Sequence, residues 1–389
     1  MTKARHTVFD NFKRRVEGVI AGDTPHRLDP LASLLHGVSW LYKCLMVTRN
    51  RLYDRQVLPS LRLPCVVVSV GNLAVGGTGK TPMTVYLIKQ IQAMGYRPAI
   101  VSRGYKGRYE KKGAVVSDGR SILCDARQAG DEPYLMANLL PNVPVIVGSD
   151  RTRAGRMAFD RFAPDVLVLD DAFQHRRLHR DLDILLLDGR APFGNSFVLP
   201  RGPMREPIQA LQRCHAIVLT RCSAQSSNTY RNVAAMVRPR PVFRAQHRTL
   251  VRGILPADRF PVQRNLDQGL GESSPQRANR RVYAFCGLAR NQAFLETVQQ
   301  TCGELAGHMG FEDHRPYRPA DMQRITAGAR ASNSECLVTT DKDFVRLPQT
   351  MRLPMPLLVL GIQIEINDDA NAFHRFLEQQ LERIIGRVL

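Results

Sequence analysis

Between Val70 and Pro82 the chain reads VGNLAVGGTGKTP, and the helical run MTVYLIKQIQ follows. A phosphate group needs several backbone N–H donors converging on it, which residues without side chains permit, together with a helix N-terminus and one cation. Gly76, Gly77 and Gly79, with Val75 and Thr78 among them, supply the backbone approach. Lys80 supplies a point charge toward the β and γ phosphates, and Thr81 a hydroxyl for Mg2+. The strict pattern GxxxxGK[ST] would place glycine where this chain has Ala74. A turn that merely joined strand to helix would not require Lys80 and Thr81 at the helix start.

A variant of this loop places a second lysine just before the glycine pair, but that position is Val75, which disfavours the variant. A phosphate loop also needs a carboxylate at the end of another buried strand to hold Mg2+ through its water shell. VLVLD, ending at Asp170 and followed at once by Asp171, is the preferred strand. ILLLD ending at Asp188 is the fallback, and helix capping is the structural alternative for Asp170. His175 and His179 in HRRLH are four apart, but the segment lacks the Glu of HExxH and sets two Arg beside any zinc ion. Gly130-Asp131-Glu132-Pro133 also reads as ordinary chemistry of a helix N-terminus.

The elements that would position these groups are short β-branched runs alternating with helical segments after Pro64. CVVVSV, PAIVS, VPVIVG, DVLVLD, DILLLD and AIVLT have no polar alternation, the pattern of parallel strands covered by helices on both faces. They predict an α/β fold: a P-loop NTPase-like, doubly wound parallel sheet over 56–262. From Phe243 to about Leu255 the pattern alternates and predicts an antiparallel ribbon, and the polar stretch 263–281 predicts a linker. A second, smaller α/β domain over 282–389 follows. Its elements are the strand RVYAFCG, a helix from Asn291 to Cys302, the strands CLVTT and PLLVLG, and a closing helix from Ala370 to Ile385. No internal repeat is evident.

Ahead of the sheet, residues 1–55 predict a membrane-associating helical segment. Leu31 to Tyr42 carries no formal charge, and Arg49, Arg51 and Arg55 follow. The uncharged stretch is short of the ~20 apolar residues of a spanning helix, so an amphipathic helix in the membrane plane, with Trp40 and Tyr42 at the interface, fits better. A core helix is the plain alternative.

The 389 residues suffice for two domains, and 55 Lys and Arg against 35 Asp and Glu leave a net charge of +20. That field favours a polyanionic partner: nucleic acid, anionic lipid or a phosphorylated substrate. Eight scattered cysteines without a CxxC pair, and no secretory leader, predict a reduced, cytosolic compartment.

With these motifs in place, the chain resembles the tetraacyldisaccharide 4'-kinase family of lipid A biosynthesis. The matching segments run in family order: VGNLAVGGTGKTP, SRGYKG, GDEP, VPVIVGSDR, DDAFQHRRLHRDLDILLLD, FGN with LPRGPMREP, FEDHRPY and TTDKDFVRL. The resemblance implies transfer of the γ-phosphoryl of ATP to the 4'-hydroxyl of an acylated glucosamine disaccharide 1-phosphate. The enzyme would be peripheral, on the anionic cytoplasmic face of the bacterial inner membrane. It further implies that Asp131 pairs with His314 to orient and deprotonate the sugar hydroxyl, that Thr81, Glu132, Asp170 and Asp171 serve Mg2+, and that the site closes when the domains approach. Arg103 and Arg205 become candidates for the anionic lipid head, as guanidinium forks suited to phosphate. Three positions depart from the family: Lys106 where glycine is common, Arg315 where a second His is common, and Asp341 in place of Glu.

Two other readings compete. A nucleotide-dependent switch or assembly factor would use the loop but would not require His314 or a lipid-facing helix. A nucleic-acid-dependent ATPase would account for the charge, but the basic residues are dispersed and no helix-turn-helix or aromatic-basic RNA motif is present. No nucleic acid and no obligate protein partner is therefore expected.

Overall fold

Consecutive apolar residues bury both faces of a strand, and the runs seen in the sequence become strands with hardly an exposed residue. The computed structural model describes residues 18, 20, 30–222, 226–258, 280–287, 291–348, 351–367 and 371–388. The polar stretch 263–281 lies outside the described residues as far as 279.

In chain order the elements begin with α1 (Pro30–Asp54), β1 (Val66–Asn72), α2 (Lys80–Ala93), β2 (Pro98–Ser102), β3 (Ala114–Asp118), α3 (Ala126–Ala129) and α4 (Asp131–Leu139). They continue with β4 (Pro144–Val147), α5 (Arg151–Phe162), β5 (Val166–Asp170), β6 (Leu182–Asp188), β7 (Ala216–Thr220), α6 (Ser227–Val237) and β8 (Val242–Leu255). The last are β9 (Arg280–Cys286), α7 (Asn291–Cys302), β10 (Gly303–Gly310), α8 (Pro319–Ala331), β11 (Cys336–Thr340), α9 (Asp341–Phe344), β12 (Leu357–Ile366) and α10 (Ala372–Val388).

The chain divides into two units, one of residues 1–80, 166–246 and 365–389, the other of 81–165 and 247–364. In the first unit the strand order β5-β1-β6-β7-β8 is parallel throughout. Where an antiparallel ribbon was expected, β8 pairs in parallel with β7 only over its first residues, Val242, Phe243 and Arg244 against Ile217, Val218 and Leu219, and as its other neighbour has β12. Its alternating burial reports one exposed face, which carries no information about strand direction. The core of this unit gathers Leu73, Phe173, Leu185, Leu187, Ile217 and Leu219 with Val233 and Val237 of α6. α10 is seated by Phe373 and Phe376, whose rings lie 5.1 and 5.6 Å from that of Phe243.

α1 is 25 residues long, more than the uncharged stretch suggests, and by length and composition alone it could cross a membrane. One face is tied down within the first unit. Ser39 Oγ donates to the Val198 carbonyl, Tyr42 Oη to that of Arg205 at 2.9 Å, and Asn50 Nδ2 to Glu206 at 2.7 Å. The opposite face exposes Leu34, Val38, Leu41, Leu45 and Leu52.

In the second unit β2 and β4 are parallel and β3 is antiparallel to β4, while β10-β9-β11-β12 form a parallel set. Val282, Ala284, Phe294, Val298, Val338 and Leu358 form the core under that set.

Candidate active site

β1 and β5 are in register, so that Val70 stands beside Asp170, β1 runs two residues further to Asn72, and both lead to the carboxyl edge where an open parallel sheet binds its ligands. Close approach there depends on Gly71, since a Cβ at that position would lie 2.5 Å from Cβ of Phe173. The loop is braced at both sides. Asn72 Nδ2 donates to the Ala74 carbonyl at 2.5 Å and to Thr78 Oγ1 at 3.1 Å, Val75 N–H to Pro203 O at 2.8 Å, and Thr220 Oγ1 to Thr78 O at 3.0 Å. Val75, Gly76 and Gly77 are exposed at its tip, Gly76 and Gly79 take φ of +126° and +86°, and Thr78 and Thr81 are buried. These are the properties of an anion cradle: a fixed backbone with an exposed glycine-bearing tip.

Around the loop stand the first unit's predicted charges. Asp170 is buried at the tip of β5, and Asp171 follows with φ +50°. Arg205 Nη1 donates to both Asp171 oxygens, at 2.8 and 3.0 Å, and Lys80 Nζ lies 3.7 Å from Oδ1. Asp188, the fallback carboxylate, instead pairs with Arg221 Nη1 at 2.6 Å, and Arg221 Nη2 donates to the Gly77 carbonyl. Arg221 is a loop contact that motif reading passed over; it occupies the strand end after AIVLT, where a basic residue in a P-loop protein is a legible signal.

The second unit holds the remaining predicted residues. The segments SRGYKG and GDEP pack backbone to backbone: a Cβ on Gly104 would lie 2.8 Å from the Ala129 carbonyl oxygen, and one on Gly107 2.6 Å from the Ala129 carbonyl carbon. Asp125 caps α3, Gly130 turns the chain at φ +90°, and Asp131 and Glu132 open α4. His314 Nδ1 lies 3.0 Å from Asp131 Oδ2, the two residues being 183 positions apart, and His314 has φ +64°. A backbone in that region is uncommon for a non-glycine residue and is a recurrent feature of functional sites. The Tyr105 ring meets the His314 imidazole edge to face at 5.7 Å.

Arg103 pairs with Glu110 at 2.7 Å and lies over the Tyr105 ring. Glu132 accepts from Lys342 Nζ at 2.5 Å. Burial opposes the ammonium of Lys342, but Glu132 and Asp341 together outweigh it and hold the group above its ordinary value. Burial, with Asp343 beside it, pushes the Tyr317 phenol up, so Tyr317 is the donor in its 2.9 Å hydrogen bond to Asp343. Lys342, Asp343 and Arg346, all in TTDKDFVRL, are site residues whose part spacing alone does not reveal.

Among the described residues no group of three or more His, Cys, Asp or Glu side chains stands together as a metal cage. Mg2+ does not need one: it takes one or two carboxylates, keeps several waters and shares substrate phosphates, and the hard oxygens of Asp170 and Asp171 beside the loop suit it.

A parallel α/β sheet with a phosphate loop after its central strand and acidic residues at the neighbouring strand tip defines a P-loop phosphotransferase. Comparison with known proteins narrows the class. The sequence model for tetraacyldisaccharide-1-P 4'-kinase matches residues 31–382. The tetraacyldisaccharide 4'-kinase of Syntrophus aciditrophicus is 39% identical over 359 residues, covering 90% of this chain and 93% of that one. That of Pelobacter propionicus is 40% identical over 344 residues, covering 87% and 90%. The crystal structure of LpxK from Aquifex aeolicus in complex with ATP is similar at a TM-score of 0.71 and 31% identity, over 91% of this chain and 99% of that one. The chain belongs to the tetraacyldisaccharide 4'-kinase family.

Proposed function

We propose that this protein transfers the γ-phosphoryl of ATP to the 4'-hydroxyl of a tetraacyl glucosamine disaccharide 1-phosphate. The observation that carries the reading is the hydrogen bond between Asp131 and His314 in a chain that also holds the braced phosphate loop. His314 donates from Nδ1 to Asp131, which leaves the Nε2 lone pair to take the proton of the sugar hydroxyl. The hydroxyl oxygen bonds to the γ phosphorus, the bond from that phosphorus to the bridging oxygen breaks, and ADP departs with the electron pair. Lys80 and the loop from Val75 to Gly79, with its glycine amides, hold the phosphates in line, which is most of what phosphoryl transfer asks of a protein. Thr81, Glu132, Asp170 and Asp171 would supply oxygens to Mg2+, which would offset phosphate charge. Arg103 and Arg205 are assigned to the anionic head of the lipid.

The substrate is a membrane lipid, and the exposed apolar face of α1 supports peripheral association with an anionic inner-membrane surface, helped by the net charge of +20. Because the other face of that helix is hydrogen-bonded within the first unit, an orientation in the membrane plane suits it better than spanning.

The test is incubation of the purified protein with ATP labelled at the γ phosphate, Mg2+ and detergent-dispersed tetraacyl disaccharide 1-phosphate. A labelled bisphosphorylated lipid that disappears with Lys80→Ala is expected. Labelled free phosphate with no labelled lipid would instead indicate a nucleotide-driven switch.

A further inference from the structure

Asp131 Oδ2 accepts two hydrogen bonds: from His314 Nδ1 at 3.0 Å and from Arg346 Nε at 2.8 Å. The Arg346 side chain is 3% exposed, and every nitrogen of its guanidinium is engaged. Nη1 lies 3.2 Å from both the Gly287 carbonyl and Asp343 Oδ1, and Nη2 lies 3.5 Å from Asp313 Oδ1. Asp343, fully buried, is fixed in turn by Tyr317 Oη at 2.9 Å, Gly287 N–H at 2.9 Å and Thr340 Oγ1 at 2.7 Å. Space for this arrangement exists because residue 287 is glycine: a Cβ there would lie 3.0 Å from Arg346 Nη1 and 3.2 Å from Asp343 Oδ1.

A carboxylate at the first turn of a helix can rotate about χ1 and χ2, and a rotated Asp131 would release the imidazole. A planar guanidinium held at its far edge by a buried carboxylate and a carbonyl leaves Nε pointing in one direction. The carboxylate oxygen that Nε engages is the one His314 uses, and an oxygen already accepting from Nε faces the imidazole as an acceptor, which selects the tautomer with hydrogen on Nδ1.

The geometry points to Arg346 as the positioning residue of the base: through Asp131 it fixes the orientation and tautomer of His314. This rests on the reading of Asp131 and His314 as the group that deprotonates the acceptor. Lysine would keep a charge near Asp131 but has no fork with which to hold Asp131, Asp343 and the Gly287 carbonyl together.

Arg346→Met and Arg346→Lys test the assignment, the second because removing the cation that touches buried Asp343 could unfold the chain while lysine retains the charge. The expected result for each folded variant is a kcat loss of about 10- to 100-fold, the range for partners that orient a functional ligand, with KM for ATP unchanged. In an Asp131→Asn background the same change is expected to cost less than about threefold, since residues that act as one unit are not additive. A loss of equal size in that background, or a rise in KM with kcat intact, would overturn the assignment.

A second readout does not depend on turnover. The 15N imidazole signals of His314, identified by their absence in His314→Gln and recorded at pH 8, should show the Nδ1–H tautomer in the parent chain and a mixture of tautomers in Arg346→Lys. An unchanged spectrum in Arg346→Lys would sink the proposal. If the parent chain leaves the lipid unlabelled, the proposed function fails, and the imidazole spectrum still decides whether Arg346 sets the tautomer.

Discussion

Lys106 stands in the left-handed region at φ +61°, which glycine adopts without strain. A side chain there brings Cβ against the following carbonyl, at a cost of about 1 kcal/mol. Lys106→Gly is accordingly expected to raise the free energy of unfolding by about 1 kcal/mol, read as a higher midpoint in chemical denaturation. An unchanged or lower midpoint would mean that the contact of the Lys106 ammonium with the Tyr105 ring outweighs the backbone cost. Asp171, Arg221 and His314 share this backbone region and belong to segments that carry charge to the phosphate loop or to the base, so strain of this kind marks where side chains are aimed. Residue types alone disclosed the loop, because Gly76, Gly77, Gly79, Lys80 and Thr81 are contiguous and each has a separate physical reason. Asp131 and His314 are 183 positions apart and became a pair only through the family resemblance; Arg346, 215 positions from Asp131, lay in the matching segment TTDKDFVRL with nothing to tie it to Asp131.

At the scale of elements, legibility followed burial. β1, β2, β5, β6 and β7 lie where continuous apolar runs placed them, because a parallel strand covered on both faces leaves no polar positions. β10, with the sequence GELAGHMG, escaped for the opposite reason: its glycines and half-exposed faces give neither a run nor a clean alternation. α1 was legible as a helix but its two faces were not, since the residues that tie it down are Ser39, Tyr42 and Asn50, each a polar or amphipathic type that would equally suit solvent. The exposed stripe follows the helical repeat, with Leu34, Val38, Leu41, Leu45 and Leu52 at spacings of three, four and seven. Seating two leucines in the acyl boundary is worth about 1.5 kcal/mol each, so Leu41→Glu with Leu45→Glu should weaken binding to vesicles of inner-membrane composition by about 100-fold. Because neither leucine is buried, the thermal midpoint should stay within a degree or two of the parent, about the scatter expected for a surface change. Unaltered sedimentation with vesicles would show that the stripe does not face lipid.

Over the whole molecule the charge count of +20 was visible at once, but its disposition was not: Arg176, Arg205, Arg213, Arg221 and Arg346 each have a carboxylate partner. Arginine here builds the protein as well as its field, and loss of that pairing shapes the response to acid. His215 is half-buried with Nδ1 accepting from the Asp183 N–H at 2.9 Å, and desolvation holds its pKa below the ordinary value. Its folded value lies below its unfolded one, so between the two the unfolded chain binds the extra proton. The corresponding stability is complete above pH about 6.5 and is lost as pH falls from there toward the folded value, at up to about 1.4 kcal/mol per pH unit. A second, more acidic phase comes from Asp165, lowered first by its hydrogen bond from Arg97, and from Asp118, lowered by the N–H groups of Ser121 and Arg120. Both carboxylates contribute fully above about pH 4 and lose their contribution below it. Denaturant midpoints measured from pH 8 down to pH 3 should therefore fall in two stages. His215→Asn, which keeps an acceptor for the Asp183 N–H but cannot take a proton, should flatten the first stage and leave the second. A first stage that persists undiminished in His215→Asn would place the near-neutral titration on another group.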